Sequence, residues 1–250
     1  MYRRKINAAV LMLAATSLCA PLAHATCTNA SLKGVFGITS SGLNGSAQPA
    51  ATVYQITADG VGGLTGSATR SSNGTITTFT LTGTYAIATN CTGTVTFKHQ
   101  DGTTEHDSFV LDQGNKGVFL LQTDNNTIES SVAVAQGTVT CTDLGVKHTY
   151  ATTATGLIIG TGQVAFVGQL KLNGLGALTG TETISLNGAI TTGVSVTGTY
   201  QIKSNCTGTA AITPQGSPTR NVNLVLVNGG KELMVIETDA STVVVGTLQL

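Results

Sequence analysis

The sequence predicts an all-β protein of two tandem eight-stranded antiparallel meander β-barrels, with a pair of β-sandwiches as the alternative. Three observations predict it: an internal repeat, a two-residue apolar alternation inside each copy, and turn dipeptides between the alternating runs. Asp59-Gly-Val-Gly-Gly-Leu-Thr-Gly66 returns as Asn173-Gly-Leu-Gly-Ala-Leu-Thr-Gly180, an offset of 114 residues. Thr82-Gly-Thr-Tyr-Ala-Ile-Ala-Thr-Asn-Cys-Thr-Gly-Thr94 returns as Thr197-Gly-Thr-Tyr-Gln-Ile-Lys-Ser-Asn-Cys-Thr-Gly-Thr209, an offset of 115. Such a period is far beyond the roughly 20–50 residues of solenoid units, so each copy is long enough to bury a core of its own.

Residues 1–25 read as an export signal. Arg3, Arg4 and Lys5 make a cationic start, and Ala8 to Leu18 is apolar apart from Thr16 and Ser17. Ala23-His24-Ala25 supplies the small residues that a signal peptidase reads. The apolar run is shorter than the ~20 residues of a membrane span. Cleavage after Ala25 is expected, and it places the mature protein in the periplasm or outside the cell. Losing three cations and no acid leaves 225 residues with 9 basic and 12 acidic side chains, a charge of −3. With no basic stripe to neutralise phosphates, nucleic acid is excluded as a partner. A hydrophobic content of 41% is too high for a disordered coil.

The first repeat, 26–137, places strands near Gly34–Thr39, Ala50–Thr57, Gly63–Arg70, Ile76–Ile87, Gly93–Lys98, Glu105–Leu111, Gly117–Thr123 and Glu129–Ala135. The second, 138–250, starts matching runs near Val146, Val164, Ala177, Ile190, Gly208, Arg220, Glu232 and Thr242. The fourth strand shows the logic. Phe79, Leu81, Tyr85 and Ile87 share one face, and Thr80, Thr82 and Thr84 share the other. Asn73-Gly74, Asp101-Gly102, Asn187-Gly188 and Asn228-Gly229 tolerate the positive φ that tight hairpins demand. Short connections make consecutive strands neighbours, and eight of them lose their edges by closing. Most of these strands fall short of the roughly 9–11 residues of an outer-membrane strand, and aromatics at 4% cannot furnish two interfacial girdles. No transmembrane span is expected in the mature chain.

Four cysteines remain after cleavage: Cys27, Cys91, Cys141 and Cys206. An even count in an exported chain reads as disulfides, and there is no Cys-x-x-Cys. The duplication favours Cys27–Cys91 and Cys141–Cys206, one equivalent bridge per copy. Bridges crossing between copies are the alternative.

Candidate chemistry is sparse. His99 and His106 flank a hairpin with Asp101 and Glu105, a set that could hold a metal if the two imidazoles met across it. The corresponding stretch 213–221 keeps none of these ligands, so a solvated hairpin tip is the preferred reading and no metal is assigned. His148 stands alone on a strand. No Gly-x-Ser-x-Gly elbow is present, and no catalytic residue or cofactor is assigned. Asp124 and Asp239 recur as single acids after a buried-looking strand, which suits a turn better than paired-acid catalysis. Lys116 and Lys231 recur before a strand, where a lysine blunts edge pairing. Tyr85, Phe97, Phe109 and Tyr200 sit on the apolar face and would line a ligand cavity if the barrels are hollow.

The runs Leu32-Lys-Gly-Val-Phe-Gly-Ile38, Thr57-Ala-Asp-Gly60, Leu81-Thr-Gly-Thr-Tyr85, Asn90-Cys-Thr-Gly-Thr94 and Phe109-Val-Leu-Asp112 carry a family resemblance. The chain resembles a group of uncharacterised secreted bacterial tandem β-repeat proteins, the hypothetical exported proteins. That resemblance implies the fold and supplies no catalytic position. In architecture alone the meander looks like lipocalin, avidin or allene-oxide-cyclase-type barrels. The functional expectation is an exported non-enzymatic protein that binds a small apolar ligand or a surface partner. A structural, surface-interaction spacer and a barrel enzyme of cyclase or isomerase type are the alternatives.

Overall fold

In a computed structural model, which describes residues 26–112 and 117–250, each copy is a closed antiparallel barrel. The expected export signal and Lys116 lie outside the described residues. Barrel one is built from β1 (Lys33–Leu43), β2 (Pro49–Asp59), β3 (Gly63–Ser72), β4 (Thr75–Ile87), β5 (Thr92–His99), β6 (Thr104–Leu111), β7 (Gly117–Gln122) and β8 (Ile128–Ala135). Barrel two repeats it with β9 (Thr149–Ile158), β10 (Gly162–Leu172), β11 (Ala177–Leu186), β12 (Ala189–Ile202), β13 (Thr207–Pro214), β14 (Arg220–Val227), β15 (Glu232–Glu237) and β16 (Thr242–Gln249). Closure settles barrel against sandwich. Phe36–Leu43 pair with Ile128–Ala135, and Ala151–Ile158 pair with Thr242–Gln249, so neither sheet has a free edge.

Local chemistry makes these walls. Alternation aims Phe36, Ile56, Leu81, Phe97, Phe109 and Leu111 inward, and threonines cover much of the outside of β4. Asn73-Gly74 and Asn187-Gly188 take positive φ at both residues (49° and 78°, 51° and 85°), as a two-residue hairpin requires. A Cβ at Gly93 would strike the Phe109 ring, so the glycine lets the aromatic lie across β5. One end of each barrel is stapled. Cys27–Cys91 and Cys141–Cys206 are bridged, with Cα–Cα distances of 5.0 and 4.7 Å. Asn90 and Asn205 shape the neighbouring turns, each accepting from the N–H and hydroxyl two residues on. Tyr85 fastens the same end, accepting the Gly60 N–H (2.9 Å) and donating to the Leu32 carbonyl (2.7 Å). Tyr200 does likewise with the Gly174 N–H (2.8 Å) and the Asp143 carbonyl (3.3 Å).

Two sequence expectations change, and one contact is new to the structure. β9 begins at Thr149 rather than near Val146, because Asp143–Val146 winds into a 3₁₀ turn capped by the Thr142 hydroxyl. Strands β1–β4 and β9–β12 run 10–14 residues, so strand length gives no argument against membrane insertion. The pairing closes two separate eight-stranded barrels. Among the described residues no helix is long and apolar enough to cross a membrane. Finally, the copies do not keep their apolar surfaces to themselves. Ala51 and Val53 of β2 join Val225, Val227, Met234, Ile236 and Val243 of barrel two in a third core between the barrels. Gly37 marks a close approach, since a Cβ there would meet the Val227 side chain at 2.6 Å.

Candidate functional site

Opposite the stapled end, under the hairpin tips, barrel one buries a polar cluster that spans its interior. Arg70 of β3 reaches Glu105 of β6, three strands away around the wall, with Nη2 2.6 Å from Oε2. The same guanidinium donates to the Thr52 hydroxyl (3.0 Å) and the Tyr54 hydroxyl (3.1 Å). Tyr54 in turn donates to Glu105 (3.1 Å). Each strong donor therefore meets an acceptor, as a buried charge requires. Glu129 of β8 accepts from the Ser40 hydroxyl (3.0 Å).

His99 and Asp107 complete the cluster less well satisfied. The Thr103 hydroxyl spends its proton on Asp101 (2.7 Å), so the contact from His99 Nδ1 (3.1 Å) assigns the proton to Nδ1. That leaves Nε2 bare, 3.7 Å from Glu105 Oε2 and without a hydrogen bond. Burial pulls the His99 pKa down, against the attraction of Glu105, and keeps the ring neutral. Asp107 is 3% exposed and its Oδ2 has no partner. Burial pushes its carboxyl up to about 8, with repulsion from Glu105, Asp124 and Glu129 adding to it. Glu129 is raised too, again chiefly by burial.

Barrel two carries an ion pair between the counterpart strands, with the cation and the acid on opposite strands. Arg220 now sits on β14, the counterpart of β6, and Glu182 on β11, the counterpart of β3; Nη2 and Oε2 are 2.7 Å apart. The Arg220 guanidinium also lies 4.1 Å over the Phe166 ring. Glu237 is pushed up to about 7 by burial, against the pull of Arg220.

These shifts predict a pH dependence with a definite sign. A carboxyl whose folded pKa is raised binds its proton more tightly folded than unfolded. Its stabilisation is complete below the unfolded pKa and disappears as pH rises through the folded value. For Asp107 that window runs from 3.8 to about 8, and for Glu237 from 4.5 to about 7. His99, being lowered, acts oppositely below its usual 6.5. Between pH 6.5 and 8.5 the carboxyls alone set the slope, so thermal stability should fall as pH rises. Asp107→Asn should remove most of that slope and stabilise at pH 8.5, on the order of 1–2 kcal/mol. A wild-type protein more stable at pH 8.5 than at 6.5 would contradict the assignment.

The residues singled out from sequence fall as follows. Tyr85, Phe97, Phe109 and Tyr200 are all buried in the barrel cores. Phe97 stacks on Tyr54 at 5.8 Å between centroids, directly beneath the polar cluster. His99 points into the barrel and packs on Phe79 (4.7 Å), whereas His106 points out to Asp124 (2.8 Å). The wall separates the two imidazoles, and no group of three ligating side chains gathers for a metal among the described residues. His148 is exposed, edge-on to Tyr150. Asp124 and Asp239 accept the N–H of His106 (2.9 Å) and Asn221 (2.7 Å), each fastening the start of a strand. Lys231 is exposed beside a 3₁₀ turn. Arg70, Glu129, Glu182 and Arg220 have no role in the sequence reading, in which Glu105 and Asp107 belong only to the run of ligand-type side chains about the hairpin. Their signal is phase: Glu105 and Asp107 share the parity of Phe109 and Leu111, which puts carboxyls on the inward face.

The outside of barrel one is unlike a solvated wall. Val110, Phe119 and Val132 lie directly opposite one another across β6, β7 and β8, and Leu121 and Ile128 extend the exposed row. An open groove of about 800 Å³ runs beside it, along β4–β7.

No protein-family model and no curated protein matches the chain. The resemblance to secreted β-repeat proteins therefore rests on the quoted motifs. Among solved structures, the crystal structure of the isotype 1 transferrin binding protein B from serogroup B Neisseria meningitidis is similar at 10% identity. The match covers 88% of this chain and 75% of that one, with a TM-score of 0.37. A likeness at that level carries no argument about activity or partner.

Proposed function

We propose that this is an exported, non-enzymatic protein that works through the outer walls of two filled barrels. The observation that carries the reading is the occupied interior. Tyr85, Phe97, Phe109 and Tyr200, which a hollow barrel would offer to an apolar ligand, are core residues. At the other end, Arg70 and Glu105 join across the barrel where a substrate would have to enter. Two disulfides support an oxidising compartment, in line with cleavage after Ala25. Surface-exposed apolar side chains are ordinary one at a time, but a contiguous row beside a groove is the kind of patch that marks interaction.

Native mass spectrometry of the protein purified from its own host tests this. The expected mass is that of residues 26–250 less four hydrogens, with no retained small molecule. A stoichiometric organic ligand would overturn the filled-barrel reading, and four free thiols would overturn the bridges.

A further inference from the structure

The barrels dock through one wall of each, and the repeat has duplicated both walls. Within the chain, the outer face of β14–β16 (Val225, Met234, Ile236, Val243) lies on the outer face of β1–β3 around Gly37, Ala51 and Val53. Aligned by the shared motifs, Val110, Phe119, Leu121 and Ile128 of barrel one occupy the positions of those four docking residues. Their exposures are 42, 56, 54 and 67%, where the counterparts have 5, 1, 0 and 5%. The receiving wall is duplicated as well. Val167 of β10 stands where Val53 stands on β2, and is 58% exposed against 3%.

Polar contacts follow the same rule. The Gln55 side chain donates to the Asn205 carbonyl across the internal contact (2.6 Å) and is half-buried there, whereas its counterpart Gln169 is exposed. The Ser241 N–H donates to the Gly74 carbonyl (2.9 Å). Their counterparts Asn126 and Gly188 keep the same backbone, with φ of 62° and 85° against 68° and 78°. A Cβ at Gly74 would collide with Ser241, while the space around Gly188 is open.

We propose that the β6–β8 wall of one chain docks on the β9–β11 wall of a second copy, repeating between molecules the contact made within each. The two walls differ, so the contact is heterologous and propagates head to tail, as a ring if the rotation closes and a filament if it does not. Asp112 stands at the position of Val227, and Ala151 at that of Gly37. The contact between chains is therefore less apolar and less close than the internal one, and reversible. The inference rests on the reading that the protein acts through its outer walls. Its failure is separable: a retained ligand would refute the filled barrel and leave assembly standing, and a monomer would refute assembly alone.

Sedimentation equilibrium of the mature protein, from about 10 µM to about 1 mM, spans the affinities of reversible contacts. The weight-average mass should rise past two chain masses. Phe119→Glu blocks the docking wall and Val167→Glu the receiving wall, both at exposed positions, so each variant alone should stay monomeric. Mixed one to one, they should form complexes of two chains and no larger, because each retains the wall the other has lost. That recovery also shows that both variants are folded. A wild-type chain that stays monomeric across the range overturns the proposal. So does self-association of Val167→Glu at the wild-type level, which would mean that like walls meet.

Discussion

Replacing Arg70 with alanine is expected to destabilise the protein by about 3–5 kcal/mol, measured by chemical denaturation at neutral pH. The reason is what it leaves behind. Glu105 keeps the Tyr54 hydroxyl but loses its cation, and the cavity around it already holds Asp107 and Glu129. Arg70 retains 22% side-chain exposure, which argues for the lower half of the range. The penalty belongs to the orphaned carboxylate more than to the pair itself. The double variant Arg70→Met with Glu105→Met should therefore recover most of the loss, because a buried ion pair gains little over apolar side chains of similar volume. A double variant as unstable as the single one would show that the network as a whole, rather than the unpaired charge, holds barrel one together.

Removing the first disulfide, as Cys27→Ala with Cys91→Ala, is expected to lower stability by roughly 4 kcal/mol, the chain-entropy value for a loop of this length. The bridge closes 64 residues, from the segment before β1 to the turn after β4. It also holds the 3₁₀ turn at Asn29–Ser31 against β4, where Leu32 accepts the Tyr85 hydroxyl. The loss should therefore show at both levels: a lower denaturation midpoint, and faster amide exchange at Gly60 and Tyr85 than at β6 or β7. The same pair of changes in barrel two, Cys141 with Cys206, should act by a similar amount, since the loop of 65 residues is nearly the same. A loss below 1 kcal/mol would mean that the unfolded chain is already compact around these turns.

Most of the architecture was legible because it rests on local rules. Alternation in β4 and β6, positive-φ dipeptides at Asn73-Gly74 and Asn187-Gly188, and one cysteine pair per repeat each point to the same barrel. The contact between barrels was harder to see, because it is tertiary. Its trace lies in β14–β16, where Leu224-Val-Leu-Val227, Leu233-Met-Val-Ile236 and Val243-Val-Val245 abandon alternation for continuous apolar runs. Runs of that kind belong to strands buried on both faces. Of their counterparts, β7 keeps such a run in Val118-Phe-Leu-Leu121, while β6 and β8 set Ser108 and Ser130 outward. That difference separates the covered wall from the open one.

The polar cluster was missed for a different reason. In sequence His99, Glu105 and His106 fall about one hairpin, which gives them the look of its solvated tip. Strand phase sends His99 and Glu105 inward and His106 outward. Arg220 stands at the position of Glu105, whereas Glu182 stands at that of Ala68 and Ile184 at that of Arg70, so a search for identical residues does not relate the two ion pairs.

The central claim is that both barrels are filled, and that matching walls are covered where the barrels dock and open elsewhere. Carbene footprinting of the dilute protein, read by mass spectrometry residue by residue, tests it most directly. Strong labelling is predicted at Phe119, Leu121 and Val167, with protection at Met234, Ile236 and Val53 on the covered walls and at Phe97 and Phe109 inside. Labelling of Phe97 and Phe109 comparable to Phe119 would mean an open barrel, and labelling of Met234 comparable to Phe119 would mean that the barrels do not dock. Either result would contradict the account.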